Sequence, residues 1–341
     1  YGKGKFDYEF IDPNSNIVRA QNAKITRDAT LVFMMGDSQE QVTYISEQEF
    51  TSALLRLSNP GKRVVYFLGG HGEPSLKNEG DTSLYQLSVA LQGKNYTVNS
   101  LNLLSDHKIP EDALALVVVD PQKALTAEEV DLIKTYLDNG GGLVYLSEPP
   151  FLSQTPNQSN PLDDYLKNTW GIEQQNNIII DPGVNPPIVT YSKSYGQHSI
   201  TNKLSSYAVF FPTAHSVSAA AEKPENITLT PLVFTSENTW GETNVNSIDQ
   251  GVAFDQQTDL PGPVSVAVAA NDQKSDAKIV VIGDSDFARD KLFAQYGNSD
   301  FIVNSIDWAA KQDNLLNLTP KNQTTRDRKS TRLNSSHIPL S

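Results

Sequence analysis

The chain has 341 residues, no cysteine and a formal net charge of −13. Lack of cysteine excludes disulfides, thiolate metal sites and cysteine nucleophiles, and the acidic balance argues against a nucleic-acid or anionic-lipid surface. The length suits one large domain or two ordinary ones, and no run reaches the ~18 apolar residues of a membrane span.

Residues 6–11 read as a strand, and residues 29–35 and 41–45 as a hairpin turning at Gly36-Asp37-Ser38. Ser46 then caps a helix, Glu49 completes the capping box, and Phe50, Leu54 and Leu57 form its expected buried stripe. Fewer than 60 residues make a poor core alone. Residues 1–58 therefore read as the second half of a small α/β domain, and a chain opening on Tyr1 rather than Met reads as a fragment.

From residue 62 strands and helices alternate. Residues 64–68 are an unbroken apolar run of β-branched and aromatic residues, as in a strand buried on both faces. Residues 82–92 read as a helix with Leu84, Leu87 and Leu91 inward and Gly93 as its stop, and 96–101 as the next strand. Residues 115–119 are a strand ending at Asp120-Pro121. Thr126 and Glu129 box the start of the clearest helix, with Val130, Ile133 and Leu137 inward, and 143–146 form the next strand. Such units with right-handed crossovers give an α/β fold with a doubly wound, mostly parallel sheet.

Residues 162–170 suit a short helix and 177–180 a strand. Between about 184 and 263 the pattern loosens into an antiparallel extension of the sheet or a β-rich insertion, with strands at 209–211, 227–234 and 251–254. Residues 264–269 and 278–282 return to the core sheet. Residues 301–311 close it as a helix with Asp300 at its start and Ile302, Ile306 and Ala309 inward. Residues 327–341 lack periodicity, reverse the charge balance and resemble translated adapter sequence, a foreign tail to be set aside.

Two stretches share one build. Gly69-Gly70-His71-Gly72-Glu73 comes after the strand at 64–68, and Gly283-Asp284-Ser285-Asp286 after that at 278–282. Ligands of open α/β sheets bind outside the carboxyl ends of strands, so Gly70, His71, Gly72, Glu73, Asp284, Ser285 and Asp286 are the candidate binding residues. Gly-Asp-Ser after a strand also suits a hydrolase with Ser285 as nucleophile and His71 as base. Against it, Ser and Asp side chains commonly tie down a turn and cap the next segment. No cofactor or metal is expected. Neither Gly-x-Gly-x-x-Gly nor Gly-Lys-Ser/Thr occurs, residues 255–259 lack calcium-loop spacing, and His107, His198 and His215 lack zinc spacing.

Together, residues 63–73, the turn Asn139-Gly-Gly-Gly-Leu143, residues 281–287, then 297–301 with Asn304 and Trp308, resemble the auxiliary component of an uncharacterised ABC-type transport system, of the gliding-motility-associated kind. The resemblance implies a partial thioredoxin-like domain over residues 1–58 without redox cysteines. Over 62–325 it implies a class I glutamine amidotransferase-like, flavodoxin-like domain without the nucleophilic Cys. It further implies a non-catalytic domain on the extracytoplasmic face of a bacterial membrane, tethered by helices outside this stretch. Its partners would be an ABC permease and ATPase. A purely structural adaptor, making contacts through its acidic flanks or through residues 184–263, is the remaining reading.

Overall fold

The computed structural model describes residues 6–12, 15–23, 25, 30–42, 46–58, 61–152, 160–244, 252–316 and 318. Residues 6–12 form no strand. A short helix α1 (Ile17–Asn22) precedes the antiparallel hairpin β1 (Leu31–Met35) and β2 (Ser38–Val42), then helix α2 (Glu47–Ser58). Ser46 Oγ accepts the Glu49 N–H at 3.1 Å, as a capping residue should. The buried stripe of α2 differs from expectation: Phe50 and Leu54 are 39% and 43% exposed, while Ala53, Leu55 and Leu57 are buried. The reason is double packing. Ala53 and Leu57 meet Phe33 and Val42 of the hairpin, and Leu55 enters the main core.

The main sheet begins with β3 (Arg63–Leu68), crosses through α3 (Tyr85–Gly93) to β4 (Tyr96–Leu101), and passes a one-turn α4 (Leu103–Asp106) to β5 (Ala113–Val119). Helix α5 (Ala127–Asp138), with the full Thr126–Glu129 capping box, leads to β6 (Gly142–Leu146). Helix α6 (Pro161–Tyr165) runs into a π-turn at Leu166–Trp170. Short strands β7 (Ile172–Gln174), β8 (Ile178–Ile180), β9 (Thr190–Ser192), β10 (Ser194–Tyr195), β11 (Val209–Phe211) and β12 (Val217–Ala219) precede the long β13 (Ile227–Phe234). After β14 (Trp240–Glu242) and β15 (Leu260–Pro261) come β16 (Ser265–Asp272), β17 (Lys278–Ile282), α7 (Asp290–Phe293) and the closing α8 (Asn298–Ala309).

The sheet order is β10-β13-β16-β17-β6-β5-β3-β4. Strands β17, β6, β5, β3 and β4 are parallel, while β10, β13 and β16 pair antiparallel. The sheet is thus mixed, less parallel than its sequence suggests. Residues 273–277 are too few for the crossover that parallel neighbours need, so β16 and β17 can only be antiparallel. Within the 184–263 segment, β10 and β13 extend the main sheet antiparallel, while β9 with β11, and β14 with β8 and β15, form small sheets of their own. Of the strand expected at 251–254, residue 251 lies outside the described residues and 252–254 are unpaired. Residues 321–341, with the suspected foreign tail, lie outside them too.

Core residues of α3 and α8 cover one face of the sheet; those of α5 and α6 cover the other. No helix among the described residues is long and apolar enough to cross a membrane. Two tertiary ties adjust the helix ends. Helix α3 starts at Tyr85 rather than 82 because Asp290 takes the Gln86 N–H (2.8 Å) and the Ser83 hydroxyl (2.6 Å). Helix α8 starts at Asn298, whose buried side chain accepts from Phe210 N–H and donates to the Phe287 and Leu292 carbonyls. At the amino edge of the sheet, fully buried Lys94 pairs with fully buried Asp307 and donates to the Leu315 carbonyl at 2.7 Å; Tyr96 Oη donates to Asp307 at 2.9 Å.

Candidate functional site at the carboxyl edge of the sheet

After β3 the chain moves outward to β4, then returns to β5 on the other side of β3. That reversal opens a crevice outside the carboxyl ends of β3 and β5, where doubly wound sheets place ligands. Gly70 (φ +115°) and Gly72 (φ +93°) turn the chain there in conformations closed to other residues. A Cβ at Gly72 would lie 3.0 Å from the Gln122 side chain.

His71 is buried and both ring nitrogens are engaged. Nδ1 lies 3.2 Å from Glu73 Oε1 and Nε2 3.1 Å from Glu129 Oε2, while the His71 N–H donates to Glu73 Oε2 at 2.8 Å. The same Glu129 oxygen accepts from Thr126 in the capping box of α5. His71 thus rivets the glycine turn to the start of α5. Beside it a cavity of about 300 Å³ is lined by Gly69, Gly70, Gly72, Glu73, Lys77 and Ser100, with buried Phe67, Leu84 and Val119 in its wall.

The stretch after β17 is built differently. Asp284 and Ser285 are fully buried. Asp284 accepts the N–H groups of Phe287 (2.9 Å) and Thr213 (3.1 Å), tying the turn to the segment after β11. Ser285 donates its N–H and hydroxyl to Glu148 Oε1 at 2.8 and 2.6 Å. Arg289 donates to Asp120 at 2.5 Å and to Ser285 Oγ at 3.2 Å, and pairs with Asp286 at 2.8 Å. One cation therefore serves a group of carboxylates. Burial, with the Asp286 charge second, pushes Glu148 up to about 7. Burial and then the Glu148 charge hold Asp284 well above the usual carboxylate range. Burial also raises Asp120 despite its Arg289 partner.

A smaller cavity of about 100 Å³ adjoins this cluster, bounded by Asp120, Ser147, Glu148, Asp163, Gln174 and His215. Ser147 Oγ lies 2.9 Å from His215 Nε2 and also bonds Gln174, whose amide donates to Asp163 at 2.6 Å. Burial lowers His215 to about 4 and raises Asp163 to about 6.

The predicted residues thus fall into two groups. Gly70, His71, Gly72 and Glu73 flank the larger cavity; Asp284, Ser285 and Asp286 belong to the acidic web, where only Asp286 keeps substantial exposure. No hydrogen bond joins Ser285 to His71, since each is consumed by other partners. The sequence reading missed Asp120, Glu148 and Arg289 as site residues. Asp120 and Glu148 carried a usable signal, an acid one or two places past a parallel strand, as Asp284 is past β17. Arg289 carried none.

Fold and edge together define an α/β protein with helices on both sheet faces and its polar crevices at one end. A family profile described as an ABC-type uncharacterized transport system matches residues 62–305, and the chain belongs to that auxiliary transport family. Among solved structures it is similar to the mmIFT52 N-terminal domain, at 15% identity and a TM-score of 0.51, covering 72% of this chain and 97% of that one. It is also similar to a ThuA-like protein from Bacteroides uniformis, at 14% identity and a TM-score of 0.39, covering 73% and 90%. The first likeness bears on the fold alone. No curated protein matches the chain.

Proposed function

We propose that this chain is a non-catalytic, extracytoplasmic auxiliary domain of an ABC-type transport system, acting by binding or assembly at the carboxyl edge of its sheet. Its partners are the permease and ATPase, and the full-length protein is membrane-tethered. The gliding-motility link and the thioredoxin-like and amidotransferase-like descriptions of its parts belong to the same reading. Family membership supports the transport role. The observation that carries the non-catalytic part is the fate of the reactive side chains: Ser285 is spent on Glu148 and Arg289, and His71 lies between Glu73 and Glu129. A nucleophile needs a base within hydrogen-bond reach, and that pair lacks it.

Copurification of the full-length protein with permease and ATPase from its own membranes tests the assembly role. Retention of both subunits is expected, and their absence under mild detergent would overturn it. A hydrolase reading now attaches to Ser147, whose hydroxyl does lie beside His215. Against it, the same hydroxyl is held by Gln174, and an oxyanion there would sit among Glu148 and Asp163. A fluorophosphonate probe is expected to leave the folded protein unlabelled; a stoichiometric adduct at Ser147 would make this an enzyme.

A further inference from the structure

The larger cavity carries the strongest unassigned chemistry. Its lining includes a short run of backbone whose donors are unspent. Among the described residues the N–H groups of Gly70, Gly72 and Glu73 have no hydrogen-bond partner, although Gly69 donates to Leu101 and His71 to Glu73. Gly70 and Gly72 are exposed and Glu73 is half-buried, so these donors stand open to solvent or to a ligand that replaces it. Donors clustered on a turn with positive-φ residues form a concavity that suits an anion.

The lining holds one carboxylate, Glu73, and one cation, Lys77. Both Glu73 oxygens are occupied by His71, through its N–H and its Nδ1. Lys77 is exposed and among the described residues forms no ion pair. The buried side chains of Phe67, Leu84 and Val119 supply carbon on the sheet side. A cavity of about 300 Å³ with an apolar wall and a few placed polar groups lies at the small end of ligand sites.

We infer that this cavity binds a small oxyanion on a compact carbon body, a carboxylate or phosphate ester. The N–H groups of Gly70, Gly72 and Glu73 would hold its oxygens, with Lys77 as counter-charge. This rests on the reading of the carboxyl edge as a binding surface and names the ligand class for it. The acidic web after β17 has the opposite character, so the two halves of the edge would discriminate against each other's ligands.

The test uses the full chain labelled with ¹⁵N-glycine, titrated at low salt with benzoate, inorganic phosphate and benzylammonium. Benzoate or phosphate is expected to shift the Gly70 and Gly72 amides saturably, and benzylammonium to leave them unmoved. Benzoate binding more tightly than phosphate would point to a carboxylate with a carbon body; the reverse would point to a phosphate-bearing ligand. Lys77→Glu, an exposed change, is expected to weaken binding by about tenfold or more at low salt, less at high salt. Ser100→Trp, on the exposed side of the edge strand β4, is expected to plug the cavity and abolish the benzoate shift with melting temperature preserved. The inference is overturned if neither anion moves these amides saturably, if benzylammonium moves them equally, or if folded Lys77→Glu binds unchanged. Copurification with transporter subunits is read separately, so loss of the anion site would leave the transport reading standing, and the reverse.

Discussion

The ends of β3 and β17 look alike in sequence, each a buried apolar strand running into glycine and then polar residues, yet they fold into opposite things. After β3, two positive-φ glycines lift the chain away from the sheet, and the one titratable ring is pinned sideways onto α5. Backbone donors and a cavity remain. After β17, the polar side chains fold back onto nearby N–H groups and carboxylates, and the space fills. A glycine-rich strand end is therefore permission for a site rather than evidence of one. The deciding factor is whether the next few side chains find partners inside the fold.

The largest effect expected lies away from both ends and calibrates them. Lys94→Met leaves Asp307 buried without its counter-charge, and breaking such a pair costs about 3–5 kcal/mol. Urea unfolding should show that loss with the carboxyl edge otherwise intact; a loss below about 1 kcal/mol would mean that the amino edge does not hold the domain together.

His71→Ala cuts the rivet at the β3 end. It leaves Glu73 and Glu129 facing each other without the ring, at about 1–3 kcal/mol. Because the ring orders the glycine turn, the Gly70 and Gly72 amides should also exchange faster with solvent. Unchanged exchange would show that the turn holds itself and would blur the contrast with the β17 end.

The β17 end should instead respond to pH. Glu148 is raised from 4.5 to about 7 by burial, so the unfolded chain releases this proton first as pH rises. The stability tied to that proton is complete below about 4.5 and is lost as pH climbs through about 7. Glu148→Gln imitates the protonated form and keeps an acceptor for Ser285. It should raise stability by about 1–2 kcal/mol at pH 8 and change it little at pH 5. Equal gains at both values would show that packing, not charge, separates wild type from variant. His215, lowered by burial, loses stability in the opposite direction, as pH falls from 6.5 towards 4. That contribution cancels in the difference between variant and wild type.

Much of the fold was legible because local rules sufficed. The strand at 64–68, the Thr126–Glu129 box and the strand at 278–282 each declare themselves within a few residues. Strand direction did not, because it depends on connection length rather than on the strand's own composition. The stripe of α2 was misread because the helix packs against two partners, the hairpin and the main core. At the site, the glycines were readable from their spacing. The web of Asp120, Glu148, Ser285 and Arg289 joins residues up to 169 positions apart, beyond the reach of any local pattern.

The Lys94 clamp has a mechanical consequence. Lys94 stands at the start of β4, and its bond to the Leu315 carbonyl fastens the chain after α8 to that side of the sheet. The glycine turn sits at the far end of β3, a six-residue strand, about 20 Å away. Tension drawn through the backbone at Leu315 would be borne first by a dry ion pair at the base of the domain. The cavity, at the opposite pole, would feel that strain last.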